Sequence, residues 1–353
     1  MHSFDGHNDV LLRLWKRGDD GVAAFLHGEN KGQLDLPRAK QGGMAGGLYA
    51  IFVPSEAKRP PKDTLANDPM AAVPYDVPAP PPPELTHAQR ATLEMASLLF
   101  RIAERSGGQV RIARSVADIR AAKAAGAHAP VLHIEGCEAL DADLRMLDVL
   151  YAAGLRSLGP VWSRSNIFAH GVPFRFPSSP DKGDGLTELG RALIKRCNEM
   201  RVLIDLSHMN EKGFWDIARL SDAPLVASHS NAHALSASSR NLTDKQLAAI
   251  RESGGLVGVN YAVSFLRADG GRIAATPLDT IIDHIAYLVE RLGEDGVGLG
   301  SDFDGAMIPE AIGSVAGLPN LIAAMRARQF GEPLIEKICF ENWMRVLART
   351  WGG

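Results

Sequence analysis

Cysteine is scarce in this sequence, and so are the features that mark secreted, redox-active and membrane-spanning proteins. The three cysteines are widely spaced and include no Cys-x-x-Cys pair, which argues against a disulfide framework and dithiol chemistry. No uninterrupted apolar run approaches the ~20 residues that a membrane-spanning helix needs, and the N-terminus lacks the pattern of a secretory signal. We therefore expect a cytoplasmic protein without a membrane partner.

A strong excess of charge of one sign is also missing. The 353 residues carry a formal net charge of -3, with 46% hydrophobic and 22% charged residues, which is ordinary for a globular enzyme. This balance gives no electrostatic reason to expect nucleic acid as a partner. The expected partner is a small molecule.

Short apolar runs bounded by turn-forming residues recur eight times and predict strands that are buried on both faces. These runs are 3–7, 47–53, 130–134, 156–161, 202–206, 225–228, 255–260 and 297–300. Between them lie amphipathic stretches whose apolar residues recur every three or four positions, as in helices. The clearest are 85–106, 141–154, 186–200, 242–254 and 278–293.

Alternation of eight strands with helices predicts an α/β fold, a (β/α)8 TIM barrel that takes up residues 1–353 as one domain. An open doubly wound sheet is the structural alternative, but the glycine-rich "KQGGMAGG" at 40–47 lacks the spacing of a dinucleotide-binding fingerprint. The segment from about 54 to 83 is rich in proline, and we interpret it as a surface excursion from the barrel.

Polar residues stand at the predicted carboxyl ends of five strands, where barrel enzymes carry their chemistry. They are His7 and Asp9, Glu135, His208, His229, and the pair Asp302 and Asp304. In an extended strand His7 and Asp9 point to one face because they are two residues apart. Asp205 is expected to orient backbone or a ligand, and a turn-forming role competes with a catalytic one for Asp304.

Three imidazoles and two carboxylates, from His7, Asp9, Glu135, His208 and His229, form a ligand set that suits Zn²⁺, with Mn²⁺ or Co²⁺ as alternatives. Five ligands are too many for one tetrahedral zinc but suit two ions that share a carboxylate and a water. Glu135 is the natural bridge. The sequence therefore predicts a site for two Zn²⁺ ions per chain.

Seven motifs, taken in order along the chain, resemble the renal (membrane) dipeptidase family of zinc peptidases. They are "DGHNDV", "HIEGCEAL", "IDLSHM", "SHSNAHAL", "SSRNLTD", "GSDFDG" and "ENWMRVL". The resemblance implies a metal-dependent, amidohydrolase-like barrel that hydrolyses dipeptides through attack of a metal-bridging hydroxide. It further implies that bacterial relatives often accept a D-residue at the C-terminal position, and it suggests a homodimer.

Residue by residue, the resemblance implies that His7 and Asp9 hold one zinc, that His208 and His229 hold the other, and that Glu135 bridges them. It also implies that Asp302 is the acid/base and that Arg240 grips the free carboxylate of the substrate, a task that suits its bidentate fork. Asn260, at the end of the seventh predicted strand, is expected to contact substrate.

Trp162 departs from the family pattern, which has a histidine in a "THS" context where this chain reads "GPVWSRSN". An indole has one N–H and carries no positive charge. We expect Trp162 to wall the substrate pocket, with packing on the barrel rim as the alternative, and Arg164, Asn166 or His170 to be candidates for a replacement donor. The departure leaves open a second function, a binuclear hydrolase of another amide, an acylated amino acid or a lactone.

Overall fold

A parallel eight-stranded sheet forms the centre of the protein in the computed structural model, which describes residues 1–56 and 68–352. The strands are β1 (Ser3–Asn8), β2 (Met44–Phe52), β3 (Tyr75–Val77), β4 (Ala129–Glu135), β5 (Leu155–Gly159), β6 (Phe174–Phe176), β7 (Leu203–Ile204), β8 (Val226–Ser230), β9 (Leu256–Val259) and β10 (Val297–Leu299). All but β3 and β6 belong to the large sheet.

The large sheet curves into a barrel, which confirms the predicted fold. Its strand order is β7-β5-β4-β2-β1-β10-β9-β8, and a parallel bridge between Asp205 and Val226 links the two end strands. Each of the eight predicted apolar runs overlaps one of these strands. The runs are continuous in sequence because the strands are covered by helices outside and by side chains inside.

Helices surround the barrel, and each of the five amphipathic stretches predicted from the sequence contains one of them. They are α1 (Val10–Trp15), α2 (Gly21–His27), α3 (Leu36–Gly42), α4 (Leu85–Arg105), α5 (Val116–Ala124), α6 (Arg145–Ala153), α7 (Glu188–Met200), α8 (Glu211–Leu220), α9 (Asp244–Glu252), α10 (Val263–Leu266), α11 (Leu278–Leu292), α12 (Leu318–Ala327), α13 (Glu332–Glu336) and α14 (Asn342–Trp351). Thr187 caps α7, and Thr243 forms a capping box with Gln246 at α9. In the described part of the chain, no helix has both the length and the apolar character to cross a bilayer.

The proline-rich excursion contains a strand that the sequence did not reveal. Within it, β3 pairs antiparallel with β6, and Val77 lies opposite Phe174. The part of the excursion at 57–67 lies outside the described residues. This small sheet matters for the site because β6 belongs to the segment that follows Trp162.

The amino-terminal end of the barrel is closed by Trp343 of α14, whose side chain is fully buried. Its indole Nε1 donates to the Leu299 carbonyl at 2.9 Å, and its ring packs against Phe4 at 5.9 Å between centroids. A Cβ added at Gly6 would lie 2.4 Å from the indole, so glycine there makes room for the ring. One aromatic side chain thus fills the barrel interior below the strand ends.

We expect Trp343→Ala to lower the free energy of unfolding by about 3–5 kcal/mol, because it leaves a cavity in the core and removes the hydrogen bond to the Leu299 carbonyl. Urea denaturation measures this loss. Trp15→Ala is the control, since that half-buried indole donates to Glu94 at the surface, and it should cost about 1 kcal/mol. Equal losses in the two variants would contradict the role of Trp343 as the barrel plug.

Candidate functional site

The polar residues predicted at the strand ends lie together at the carboxyl end of the barrel. His7 lies in β1, Asp9 follows it, Glu135 ends β4, His208 follows β7, His229 lies in β8 and Asp302 follows β10. All six are buried or nearly so: the most exposed of the five predicted ligands is Asp9, at 7%. Parallel strands deliver these side chains to one point because all their carboxyl ends meet at the same rim.

The Oε1 atom of Glu135 is the point on which the imidazoles converge. It lies 2.9 Å from His208 Nε2, 3.5 Å from His229 Nε2 and 3.6 Å from His7 Nε2. His7 Nε2 is in turn 3.6 Å from Asp9 Oδ2. A carboxylate surrounded by three imidazole nitrogens offers a ready set of ligands for a cation.

Two groups of three potential ligands share Glu135. The first is His7, Asp9 and Glu135, the second is Glu135, His208 and His229, and within each group the ligand atoms lie within 4.8 Å of one another. The division of two ions about a common carboxylate stays a prediction, to which these two groups could contribute the ligands. A third group of the same size joins His7 and His229 to Asp205.

Buried polar atoms without hydrogen-bond partners indicate that the cluster is suited to bind metal ions. Neither ring nitrogen of His7 has a hydrogen-bond partner among the described residues, and Asp9 Oδ1 also lacks one. Buried polar atoms are normally hydrogen-bonded, and ligation by a cation is one way to satisfy them. The donor set, nitrogen from imidazole and oxygen from carboxylate, is the one that zinc and similar ions take in proteins.

Burial sets the charges of the cluster. It lowers the pKa of His208 and His229 well below the usual value, so both rings are neutral at pH 7 and free to ligate through a lone pair. It raises the pKa of Glu135 well above the usual value. For His7, burial lowers the pKa, but Glu135 and Asp9 outweigh it, and the net value rises to about 10. The raised pKa values of His7 and Glu135 favour proton binding at these two residues, and bound metal ions would displace those protons.

Serine hydroxyls orient two of the imidazoles, and sequence reasoning missed them. Ser163 Oγ lies 2.7 Å from His208 Nδ1, and Ser228 Oγ lies 2.8 Å from His229 Nδ1. Ser228 also donates to Asp205, so that carboxylate acts on His229 through the hydroxyl. Contacts of this kind turn Nε2 toward the centre. No spacing rule predicts the Ser163 contact, because it joins two different loops.

Two hydrogen bonds help to hold Asp302 in place. Its backbone N–H donates to the His7 carbonyl at 3.0 Å, and Asn260 Nδ2 donates to its Oδ2 at 3.0 Å. Both Asp302 and His208 adopt left-handed backbone conformations, with φ of 60° and 68°. Non-glycine residues rarely adopt such conformations, and they cluster at functional sites where the surroundings hold them. Burial raises the pKa of the Asp302 carboxyl.

Asn260 was predicted to contact substrate, and the structure gives its side chain other partners. It is fully buried, and its Oδ1 accepts from the Ala262 N–H while its Nδ2 donates to Asp302. These contacts favour a role in fixing the Asp302 carboxylate. Substrate contact by Asn260 stays a prediction.

Asp5 is a further residue that sequence reasoning missed. Its carboxylate accepts from the Ser301 N–H at 2.7 Å and from the Ser301 hydroxyl at 2.9 Å, which ties β1 to the loop that carries Asp302. Burial raises the pKa of Asp5 to about 6. The alternation of Asp5, His7 and Asp9 along one strand face is the signal that could have found it.

Asp304 has the contacts of a turn-forming residue. Its Oδ1 accepts from the Gln33 N–H at 2.6 Å, and its own N–H donates to Gln33 Oε1 at 2.6 Å. Its Oδ2 lies 3.1 Å from Arg13 Nε. Of the two roles considered for Asp304, the structure favours the turn.

Arg240 is a buried cation beside the cluster. The residue is 4% exposed. Its guanidinium donates to the His229 carbonyl at 3.1 Å, and its Nε has no hydrogen-bond partner among the described residues. Burial lowers its pKa to about 10, so it remains positively charged at neutral pH. A buried guanidinium with donors to spare is suited to an anionic ligand group.

Trp162 lies next to the cluster. Its ring is 5.9 Å from that of His208 and 5.0 Å from that of Phe52, which favours the pocket wall over packing away from the site. Two candidates for a replacement donor are engaged elsewhere: Arg164 donates to Glu138, and Asn166 donates to the Pro160 carbonyl. The site contacts of His170 stay a prediction.

A barrel with buried imidazoles and carboxylates at its strand ends defines the class of metal-dependent hydrolases. The chain belongs to the membrane dipeptidase family, peptidase family M19, whose model matches residues 1–351. It is therefore an enzyme that hydrolyses peptide bonds, and its family implies a metal ion.

Two solved structures named as peptidases agree with this assignment. The chain is similar to a metallopeptidase from Rhodobacter sphaeroides liganded with a phosphinate mimic of the dipeptide L-Ala-D-Ala, with a TM-score of 0.97 and 52% identity over 99% of both chains. It is also similar to dipeptidase AC, with a TM-score of 0.96 and 52% identity over 100% of this chain and 99% of the other. An uncharacterized protein in the pqqA 5′ region of Klebsiella pneumoniae is 50% identical over 73% of this chain and 95% of its own.

We expect about two divalent ions per chain, and Glu135→Gln should release both because the two ligand groups share that carboxylate. His7→Ala should mainly empty one site. Elemental analysis after mild dialysis measures the content, and His87→Ala, a change at a half-exposed histidine on α4, is the control that should keep both ions. A Glu135→Gln protein that still holds two ions would remove Glu135 from the bridging position.

Proposed function

We propose that this protein is a zinc-dependent dipeptidase that acts on small dipeptides with a free C-terminal carboxylate. The observation that carries the proposal is the buried guanidinium of Arg240 beside a cluster of five potential metal ligands. A dipeptide is the smallest peptide whose scissile carbonyl and terminal carboxylate can engage these two features together. The relative that binds a mimic of L-Ala-D-Ala supports the same substrate class.

His7 and Asp9 would hold one ion, His208 and His229 the other, and Glu135 would contact both. When bound, the ions supply a water acidic enough to attack at neutral pH and positive charge beside the carbonyl oxygen. The chain supplies the rest of the chemistry. Arg240 binds the terminal carboxylate and so fixes the amide relative to the cluster.

Asp302 would carry the proton. Its carboxylate takes a proton from the attacking water and passes it to the nitrogen of the leaving amine, which departs as a free amino acid. Asn260 holds Asp302 Oδ2 in one orientation during both transfers. Without bound metal, burial raises the pKa of this carboxyl above its ordinary value.

We expect Asp302→Asn to lower kcat by about 10²–10⁴-fold while the metal content stays near normal, because the amide keeps the shape but carries no exchangeable carboxyl proton. Steady-state kinetics and elemental analysis measure the two quantities. Asp304→Asn is the matched control, and it should keep most of the activity. If Asp304→Asn lost the activity and Asp302→Asn kept it, the acid/base would be Asp304.

A substrate panel tests the function directly. We expect the zinc-loaded enzyme to hydrolyse L,L or L,D dipeptides and to lose most of this activity on their C-terminal amides, which present no carboxylate to Arg240. For Arg240→Lys, KM should rise about 10-fold or more with a smaller fall in kcat, since a point charge replaces the fork. The amides should be nearly insensitive to this substitution.

The same panel includes N-acylated amino acids and lactones, the substrates of the alternative function. Faster turnover of these compounds than of any dipeptide would favour the alternative, which the tryptophan at the position of the family histidine leaves open. Equal turnover of free and amidated dipeptides would show that Arg240 does not bind the carboxylate.

A further inference from the structure

Three aromatic rings connect the metal-ligand cluster to Arg240. Phe174 of β6 has its ring 6.1 Å from that of His208 and 5.3 Å from that of Trp162. On its other side it stacks on Phe265 at 5.9 Å with an interplanar angle of 22°. The guanidinium carbon of Arg240 lies 5.5 Å from the centroid of the Phe265 ring. We call Trp162, Phe174 and Phe265 the aromatic wall.

The rings of the wall differ in exposure. Phe265 is 6% exposed, whereas Trp162 and Phe174 are only partly buried. Large aromatic rings that stay partly open beside a buried polar cluster offer apolar area to a ligand. Phe174 stands in the middle of the wall, between the cluster and Arg240.

Hydrogen bonds hold the strand that carries Phe174 against the loop that carries Arg240. Ser239, the residue before Arg240, accepts from the Arg175 N–H at 3.0 Å through its hydroxyl and donates its own N–H to the Arg175 carbonyl at 3.1 Å. Its hydroxyl also donates to the Pro173 carbonyl. The backbone on both sides of Phe174 is therefore bonded to the loop of Arg240, which sets the distance between ring and guanidinium.

The chemistry of a dipeptide decides which of its groups faces the wall. With the scissile carbonyl at the metal cluster and the terminal carboxylate at Arg240, the atoms between these two points are the amide nitrogen and the Cα of the C-terminal residue. That Cα carries one side chain and one hydrogen, and exchanging them inverts the chirality. Only one enantiomer of the C-terminal residue can direct its side chain at the wall.

We propose that Phe174, placed by the small β3–β6 sheet, is a specificity-determining residue that selects dipeptides with an apolar C-terminal side chain of one chirality. The proposal rests on the dipeptidase function above and deepens it. An apolar side chain gains contact area with the three rings, whereas an acidic or basic one loses hydration against them. Glycine gains nothing from the wall because it has no side chain.

Five dipeptides test the proposal: L-alanyl-glycine and L-alanine followed by L-Leu, D-Leu, L-Glu or D-Glu. For the zinc-loaded wild type, kcat/KM for one leucine enantiomer should exceed that for glycine, for the other leucine enantiomer and for both glutamates by about 10-fold or more. In Phe174→Ala the ratio of leucine to glycine and the ratio of the leucine enantiomers should both fall toward one. Activity on L-alanyl-glycine is the reference against which the other four activities are compared.

The substrate with C-terminal glycine distinguishes a change in specificity from a general loss of activity. A misfolded or metal-depleted variant would lose activity on all five substrates. Phe174→Leu should keep part of the leucine preference, and Phe100→Ala on the outer helix α4 should change none of the ratios. A wild type without preference, or a Phe174→Ala variant that keeps the wild-type ratios or loses all five activities equally, would overturn the proposal. Failure of the wild type to hydrolyse any dipeptide would instead overturn the dipeptidase function itself.

Discussion

The carboxylate of Glu135, buried among three imidazoles, is the constraint on which the rest of this site depends. Withdrawing a charged carboxylate from water is costly unless a cation or several hydrogen bonds compensate for the lost hydration. In the barrel the surroundings of Glu135 are His7, His208 and His229, of which the last two are held neutral by burial. Under the proposed function, a pair of divalent cations would add to the compensation that the neighbouring imidazoles provide.

Several features elsewhere in the chain serve this arrangement. Ser163 and Ser228 orient imidazoles, and Asp5 fixes the loop after β10 through Ser301. The left-handed backbone at His208 costs conformational energy that the barrel must offset. Trp343 fills the opposite end of the barrel, so the interior is packed below the site. The strands, the plug and the orienting residues together deliver five side chains to one point.

The sequence predicted the barrel and the members of the cluster because both depend on local patterns. Apolar runs located the eight barrel strands. Because His7 and Glu135 stand at the ends of such runs, the sequence predicted that they are close in space. The β3–β6 sheet escaped prediction because its strands are three residues long and lie in irregular segments. The Ser163 contact and the burial of Arg240 escaped because they depend on how loops pack against one another. The sequence placed Asn260 at the end of a strand, but it did not predict that its side chain hydrogen-bonds to Asp302.

The central claim is that Glu135 lies between two metal ions, and anomalous diffraction from crystals of the zinc-loaded protein tests it most directly. Data collected on both sides of the zinc absorption edge show each bound zinc as a separate peak. The account predicts two peaks, one beside His7 and Asp9 and the other beside His208 and His229, with the Glu135 carboxylate in contact with both. A single peak, or two peaks of which only one touches Glu135, would contradict it.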